Sequence, residues 1–347
     1  MADNEKKNRI CVIFTGGTIG SDSDGKNVSL SGTSKKMLLE KYRETAGDGI
    51  KFDVLSPINI LSENMQKSDL NKLYACIKSV NYSDYDGIIV THGTDTLCFT
   101  VNWLSQVLCD IPVPLVAVSA LYPLTDSRSN GVKNFTGAVT FIEKAALRGV
   151  YCAFANDNEN CKIHLGSRLS YPDEINGFYH SALGVHFAEI VGGEVVYNSS
   201  RVLPTLEEVN ANGAKPLDSA LCDKVMLITM RSLLNFAVYD FSHTKPRAVI
   251  IELSHSGTVC TVGDELNFKR FAAYCKECGV PVILAPVMSK AGVYASMVGI
   301  PENVIFVYDM TIEMTIVKVM CALGADLPPT AYFESNTAFE KIDFPQI

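Results

Sequence analysis

Apolar residues recur along the chain in two alternating patterns. Short runs rich in Val, Ile and Leu occupy Arg9 to Thr15, Gly87 to Thr91, Val113 to Leu121 and Val150 to Ala155, then Lys224 to Met230, Ala248 to Ser254, Pro281 to Val287 and Val304 to Asp309. Between them lie longer segments in which apolar residues fall at helical spacing, as Leu70, Leu73, Tyr74 and Ile77 do. Near-continuous apolar runs suit strands covered on both faces, and their alternation with helical segments is the mark of parallel strands joined by crossover helices. The pattern predicts an α/β protein of two domains, each a mainly parallel sheet with flanking helices.

The stretch SSRVLPTLEEVNANGAKPLDS gathers Pro, Gly, Asn and Glu with little periodicity. It divides the chain into an N-terminal domain over 1–205, a linker over 206–219 and a smaller C-terminal domain over 220–347. Two domains also suit 347 residues, more than one core usually organises. With 47% hydrophobic and 20% charged residues the balance is that of a water-soluble globular protein. A net charge of −8 and the lack of a basic stripe argue against a nucleic-acid partner. The opening MADNEKKNRICVIF passes from charged residues straight into a strand-like run, and apolar runs such as VPLVAV and PVILAPV fall far short of the ~20 residues of a spanning helix. The expectation is a cytoplasmic protein with no membrane association. Eleven irregularly spaced cysteines read as reduced thiols, and the Cys275–Cys278 pair lacks the second pair or histidine that a metal site needs.

Ligands of open parallel sheets bind where strands end and the chain turns toward a helix. Two such tips pair glycine with threonine: Thr15-Gly16-Gly17-Thr18-Ile19-Gly20 after the first strand, and Thr91-His92-Gly93-Thr94-Asp95-Thr96 at the start of a helix. Glycines admit tight turns and close backbone approach, and a helix start directs N–H groups at a carboxylate or oxyanion. A threonine hydroxyl beside a proton acceptor and such donors has the ingredients of acyl transfer. The same features also suit a phosphate cradle or a helix cap. GGTIG follows neither the dinucleotide nor the P-loop order of glycines, and the histidines show no metal-ligand spacing, so neither a nucleotide site of those kinds nor a metal is expected. His92, inside the turn, reads as a packing or hydrogen-bonding residue rather than a general base.

Taken together, the two tips resemble the paired TGGTI and HGTDT signatures of the bacterial-type L-asparaginase family. Ser62-Glu63-Asn64-Met65 resembles its Ser-x-Asp-Met substrate loop. Pro123 to Gly131 and Asp309-Met310-Thr311-Ile312-Glu313 resemble segments of its cytosolic type I branch. The resemblance implies hydrolysis of asparagine, or a related small ω-amide, to the acid and ammonia through a threonyl acyl intermediate, with no cofactor needed. Thr18 or Thr94 is then the nucleophile, with the position of Thr18 more often named in the family. Asp95 assists catalysis and holds the α-ammonium, and Ser62 takes the α-carboxylate with Gly17 and Gly93 around it. Glu63 supports the ammonium. A homodimer or homotetramer is implied, each site completed by the partner's C-terminal domain, with Ser254 and His255 expected near it.

Four positions depart from the family. No tyrosine follows the first motif in Gly25-Lys26-Asn27-Val28-Ser29-Leu30; Tyr171 stands where a lysine follows Gly166-Ser167-Arg168; Asn130 replaces an aspartate; and the loop aspartate is Asn64, beside Glu63. Tyrosine can relay a proton but lacks the charge of lysine. Lys133 and Lys162 are the substitutes nearest in sequence. The alternatives are a catalytically impaired amino-acid-binding or sensing homologue and, ranked below it, the related amidotransferase component that supplies ammonia for tRNA-linked glutamine synthesis.

Overall fold

The computed structural model describes residues 7–17, 21–23, 28–30, 33–287 and 294–342. The chain forms two compact units, Met1–Pro216 with Thr337–Phe339, and Leu217–Asn336 with Glu340–Ile347.

The first unit runs β1 (Arg9–Phe14), β2 (Ser21–Ser23), β3 (Val28–Leu30), α1 (Thr33–Ala46), β4 (Lys51–Leu55), α2 (Lys67–Ser79), β5 (Gly87–Thr91), α3 (Thr94–Val107), β6 (Pro114–Val118), α4 (Gly131–Ala145), β7 (Gly149–Phe154), β8 (Cys161–Leu165), β9 (Ala188–Val191), β10 (Glu194–Tyr197) and α5 (Leu206–Asn210). Its main sheet has the order β10-β9-β8-β7-β6-β5-β1-β4, and β2 pairs with β3 separately. Strands β4, β1, β5, β6 and β7 are mutually parallel. From β7 to β10 the pairing is antiparallel.

Every residue of β5 and β6 is buried, as strands sandwiched between helices require. On one face Ile10, Val12 and Phe14 of β1 join Leu38 and Tyr42 of α1 and Phe135, Val139 and Ile142 of α4 in one core. Helix α3 packs against β7 and is buried from Val101 to Val107. Its Trp103, the chain's single tryptophan, is 0% exposed and lies 6.0 Å from the ring of Tyr74 on α2.

All eight strands expected from apolar runs are present. Strand β4 was not legible, because KFDVL is a half-exposed edge strand with no continuous apolar run. Neither were β8, β9 and β10, whose sequences mix Lys, His and Glu with apolar residues. The 206–219 stretch is not wholly irregular. Its first residues form α5, opened by a Thr205–Glu208 capping box and tied to the first core through Val209.

The second unit runs β11 (Val225–Thr229), β12 (Ala248–Glu252), α6 (Phe268–Glu277), β13 (Val282–Ala285), β14 (Val304–Phe306) and α7 (Ile312–Gly324). Its four strands form a wholly parallel sheet in the order β11-β12-β13-β14. Val249, Ile251, Phe236, Phe268 and Phe271 meet in its core, with Phe236 and Phe271 stacked at 5.0 Å. On α7, Lys318 pairs with Glu340 at 2.5 Å, both side chains being 0% exposed. Its ammonium also donates to the carbonyls of Tyr332 and Ser335 at 3.0 and 2.7 Å. Burial pulls the Lys318 pKa below its ordinary value, and the Glu340 carboxylate works against that pull.

All eleven cysteines are free thiols. Among the described residues no helix is long and apolar enough to cross a membrane.

Candidate active site

Strand order dictates where a ligand can enter the first unit. The chain leaves β1, forms β4 on one side of it and returns to form β5 on the other, so the topological switch point lies beyond the carboxyl ends of β1 and β5. Parallel register sets Phe14 beside Thr91. The two glycine-threonine tips therefore emerge side by side.

Hydrogen bonds weld these tips to a third segment. Thr15 Oγ1 donates to the Thr91 carbonyl at 2.8 Å, joining the tips directly. The Ile60 N–H donates to the Thr15 carbonyl and the Gly17 N–H to the Ile60 carbonyl, both at 3.0 Å, which brings in the loop carrying Ser62. Since the Gly17 N–H is directed to Ile60, what Gly17 offers the site is the absence of a side chain. At φ +74° a Cβ there would lie 2.3 Å from the Gly93 backbone. A Cβ on Gly93 would lie 2.4 Å from Ser62 Oγ.

Gly93 is the N-cap of α3 and makes no side-chain cap. Thr94 and Thr96 do not replace it: Thr96 Oγ1 donates to the Ser62 carbonyl at 3.0 Å, and the Thr94 hydroxyl has no hydrogen-bond partner among the described residues. The cap reading of this Thr-Asp-Thr run is thereby removed. Ser62, 3% exposed, donates to Asp95 Oδ2 at 3.3 Å. The N–H groups of the first turn of α3, like those of any helix start, lack intrahelical acceptors. Ser62, Gly17, Gly93 and Asp95 thus lie together, with Thr94 between the last two in sequence, Asp95 exposed and Thr94 half-buried. Thr18 lies outside the described residues. Glu63 is exposed in the turn Ser62–Asn64.

Asn130 has a structural explanation. Its Oδ1 accepts from the Leu121 N–H at 2.9 Å while its Nδ2 donates to the Ala155 carbonyl at 2.8 Å, linking the exits of β6 and β7. An ionised aspartate could not make the second bond. Lys133 and Lys162 both turn to Glu159, Lys133 to its carbonyl and Lys162 to its carboxylate at 2.7 Å. Among the described residues no Lys or Arg forms an ion pair with Asp95. Tyr171 is 42% exposed. Ser254, in the second unit, bonds to Thr258, and His255 is exposed.

A residue that sequence reading passed over is Tyr179. It is 0% exposed and its hydroxyl donates to the Thr94 carbonyl at 2.5 Å, from 85 positions away. Nothing in its local sequence signals that contact. Ile60 escaped notice because it acts through its backbone alone.

His92 is buried beneath the second tip, where its Nδ1 must donate to the Gly93 carbonyl at 2.8 Å. Burial lowers its pKa to about 4, so the ring is neutral at neutral pH and no proton acceptor for the site is exposed there. The unfolded chain, with an ordinary histidine near ~6.5, binds this proton more readily. Stability attributable to neutral His92 is fully present above that value and is lost as pH falls toward 4. We expect His92 to contribute about 1.5 kcal/mol to the fall in stability between pH 6.5 and 5, beside a similar share from His164, whose pKa burial lowers to about 3, and His92→Gln to remove roughly half of the urea-midpoint slope. A slope unchanged by the substitution would remove His92 as its source. Among the described residues no group of His, Cys, Asp and Glu side chains could hold a metal ion.

Fold and tips together suit an acyl-transfer enzyme of the α/β class, and residues 9–202 match the family described as asparaginase, N-terminal. The chain belongs to the asparaginase family and is in class an asparaginase-like amidohydrolase. It is 29% identical over 324 residues to an L-asparaginase of Thermococcus kodakarensis, a match that covers 91% of this chain and 93% of that protein. The solved structure of the thermostable L-asparaginase from that organism matches 97% of this chain and 100% of its own, with a TM-score of 0.76 at 26% identity. A glutamyl-tRNA(Gln) amidotransferase component of Methanosphaera stadtmanae is 26% identical over 229 residues, 65% of this chain but 51% of that protein.

Proposed function

We propose that this protein hydrolyses the side-chain amide of L-asparagine, or of a closely related small ω-amide, consuming one water to yield the carboxylate and ammonia. A threonine hydroxyl attacks the amide carbon and ammonia departs, leaving a threonyl ester that water cleaves. Thr18 and Thr94 are the candidate nucleophiles. Asp95 receives the substrate's α-ammonium, Ser62 its α-carboxylate, and Glu63 adds negative charge on the ammonium side. The first-turn N–H groups of α3 suit the oxyanion.

The observation that carries this reading is the convergence of Gly17, Ser62 and Gly93-Thr94-Asp95 at the switch point, held so closely that two of the three segments meet as bare backbone. The match to the T. kodakarensis L-asparaginase along nearly all of both chains also favours it over the amidotransferase component, of which this chain covers about half.

A second reading is favoured by one feature. With Tyr171 in the lysine's place and no ion-paired cation on Asp95 among the described residues, proton removal from threonine has weaker assistance, and loss of such help commonly costs about 10²- to 10⁴-fold in rate. The chain would then bind the amino acid and turn it over slowly or not at all.

Ammonia release from asparagine and glutamine, set beside calorimetric binding of each, separates the readings. We expect turnover of asparagine, and a KM raised about tenfold in Ser62→Ala with kcat little changed, the scale of one lost hydrogen bond to a charged group. Binding without ammonia would establish the second reading. Neither binding nor ammonia would sink both.

A further inference from the structure

We propose that Tyr179 is a positioning residue that fixes the catalytic end of α3, its hydroxyl holding the Thr94 carbonyl and so setting the direction and strength of the Asp95 N–H. The inference rests on the amidohydrolase reading above for its kinetic consequence, although its structural part does not.

Tyr179 is anchored independently of α3. Its N–H donates to Asn156 Oδ1 at 3.0 Å and its carbonyl accepts from Asn156 Nδ2 at 3.1 Å, so both backbone groups are clasped by one side chain just beyond β7. Its ring packs on Phe154, the last residue of β7, at 4.7 Å. A residue pinned to the sheet in this way gives its hydroxyl a fixed origin. That hydroxyl meets the first carbonyl of α3, one peptide link from Asp95. The adjoining turn of the helix is held by the same loop, since Asn102 Nδ2 and Cys98 Sγ both donate to the Leu169 carbonyl, at 2.9 and 3.1 Å.

Two consequences follow from elementary chemistry. A helix start frays most easily, and a second donor on its first carbonyl opposes fraying. The Thr94 carbonyl and the Asp95 N–H also belong to one peptide group. A hydrogen bond accepted by the carbonyl polarises that peptide and makes its N–H a better donor to an oxyanion or carboxylate. The tyrosine is a permanent donor here. Burial, the largest cause, with the Asp95 carboxylate adding to it, pushes its pKa far above the ordinary tyrosine value.

The test compares Tyr179→Phe with Tyr151→Phe. Tyr151 is equally buried in the same unit and its hydroxyl also donates to a backbone carbonyl, that of Arg148 at 2.7 Å, away from the two tips. For Tyr179→Phe we expect kcat for asparagine to fall about tenfold with KM within about twofold of wild type and an unshifted pH profile. Amide exchange of a peptide spanning residues 94–100 should quicken. Tyr151→Phe should change neither. Equal kinetic losses in both variants would mean general softening and would overturn the proposal, as would an unchanged kcat in Tyr179→Phe. Should the wild type release no ammonia, the amidohydrolase reading falls, and exchange alone decides: no acceleration at 94–100 specific to Tyr179→Phe overturns the brace as well.

Discussion

Valine in place of Thr94 should lower ammonia release from asparagine by about a thousandfold or more while leaving the protein folded. Thr94 opens α3 beneath the site, yet its hydroxyl has no partner among the described residues and the N-cap is Gly93. Removing it therefore costs no structural hydrogen bond among them. Valine keeps the branched shape and has a nearly equal helix propensity, so we expect stability within about 0.5 kcal/mol of wild type. A loss of this size in kcat without a change in melting temperature would mark a group needed in the transition state. Thr18→Val is the companion variant. Whichever substitution blocks formation of a covalent acyl species, detected by mass spectrometry after acid quench, identifies the nucleophile. Full activity in Thr94→Val would exclude that threonine from the chemistry.

The largest expected effect on stability lies in the second unit. Lys318→Met should destabilise it by about 3 to 5 kcal/mol, because the Glu340 carboxyl, 0% exposed, would lose the ammonium that compensates its burial. Removing both charges should restore most of that loss, since two apolar side chains of similar volume need no mutual compensation. The measurement is calorimetric melting of the single variant and of Lys318→Met with Glu340→Leu. If the single substitution moved the transition by less than a degree or two, or the double variant were no better than the single, the two buried charges would not depend on each other as their burial implies. Calorimetry is needed because two units need not melt together, and a single transition cannot be assumed.

Much of this architecture was legible beforehand, for identifiable reasons. Strands β1, β5, β6 and β7 are covered on both faces, and burial of that kind leaves a short run of apolar residues bounded by turns. The glycines of the tips were legible because close backbone approach admits no other residue, as the contacts a Cβ would make at Gly17 and Gly93 demonstrate. Ser62 was found only by resemblance; one serine in a polar loop carries no signal of its own. Tyr179 and Ile60 could not be found at all, since one reaches the site across 85 positions and the other through its main chain. Asn130 looked like a defect in a catalytic motif. In the structure it is a two-way clasp between strand exits, a use that depends on partners, Leu121 and Ala155, that share no local pattern with it.

The lone tryptophan gives the molecule an optical asymmetry. Trp103 sits in the helix that begins with Thr94 and Asp95, wholly shielded from water and near the Tyr74 ring, and the second unit contains no indole at all. Emission excited at the red edge of the tryptophan band is therefore a private channel from the first unit. It should shift when α3 loosens or its surroundings become wet, and stay silent while α6, α7 and the four-stranded parallel sheet come apart. A denaturation curve followed by that light alone reports the half of the protein that carries the glycine-threonine tips, and only the difference between it and a far-ultraviolet dichroism curve reveals what the other half is doing.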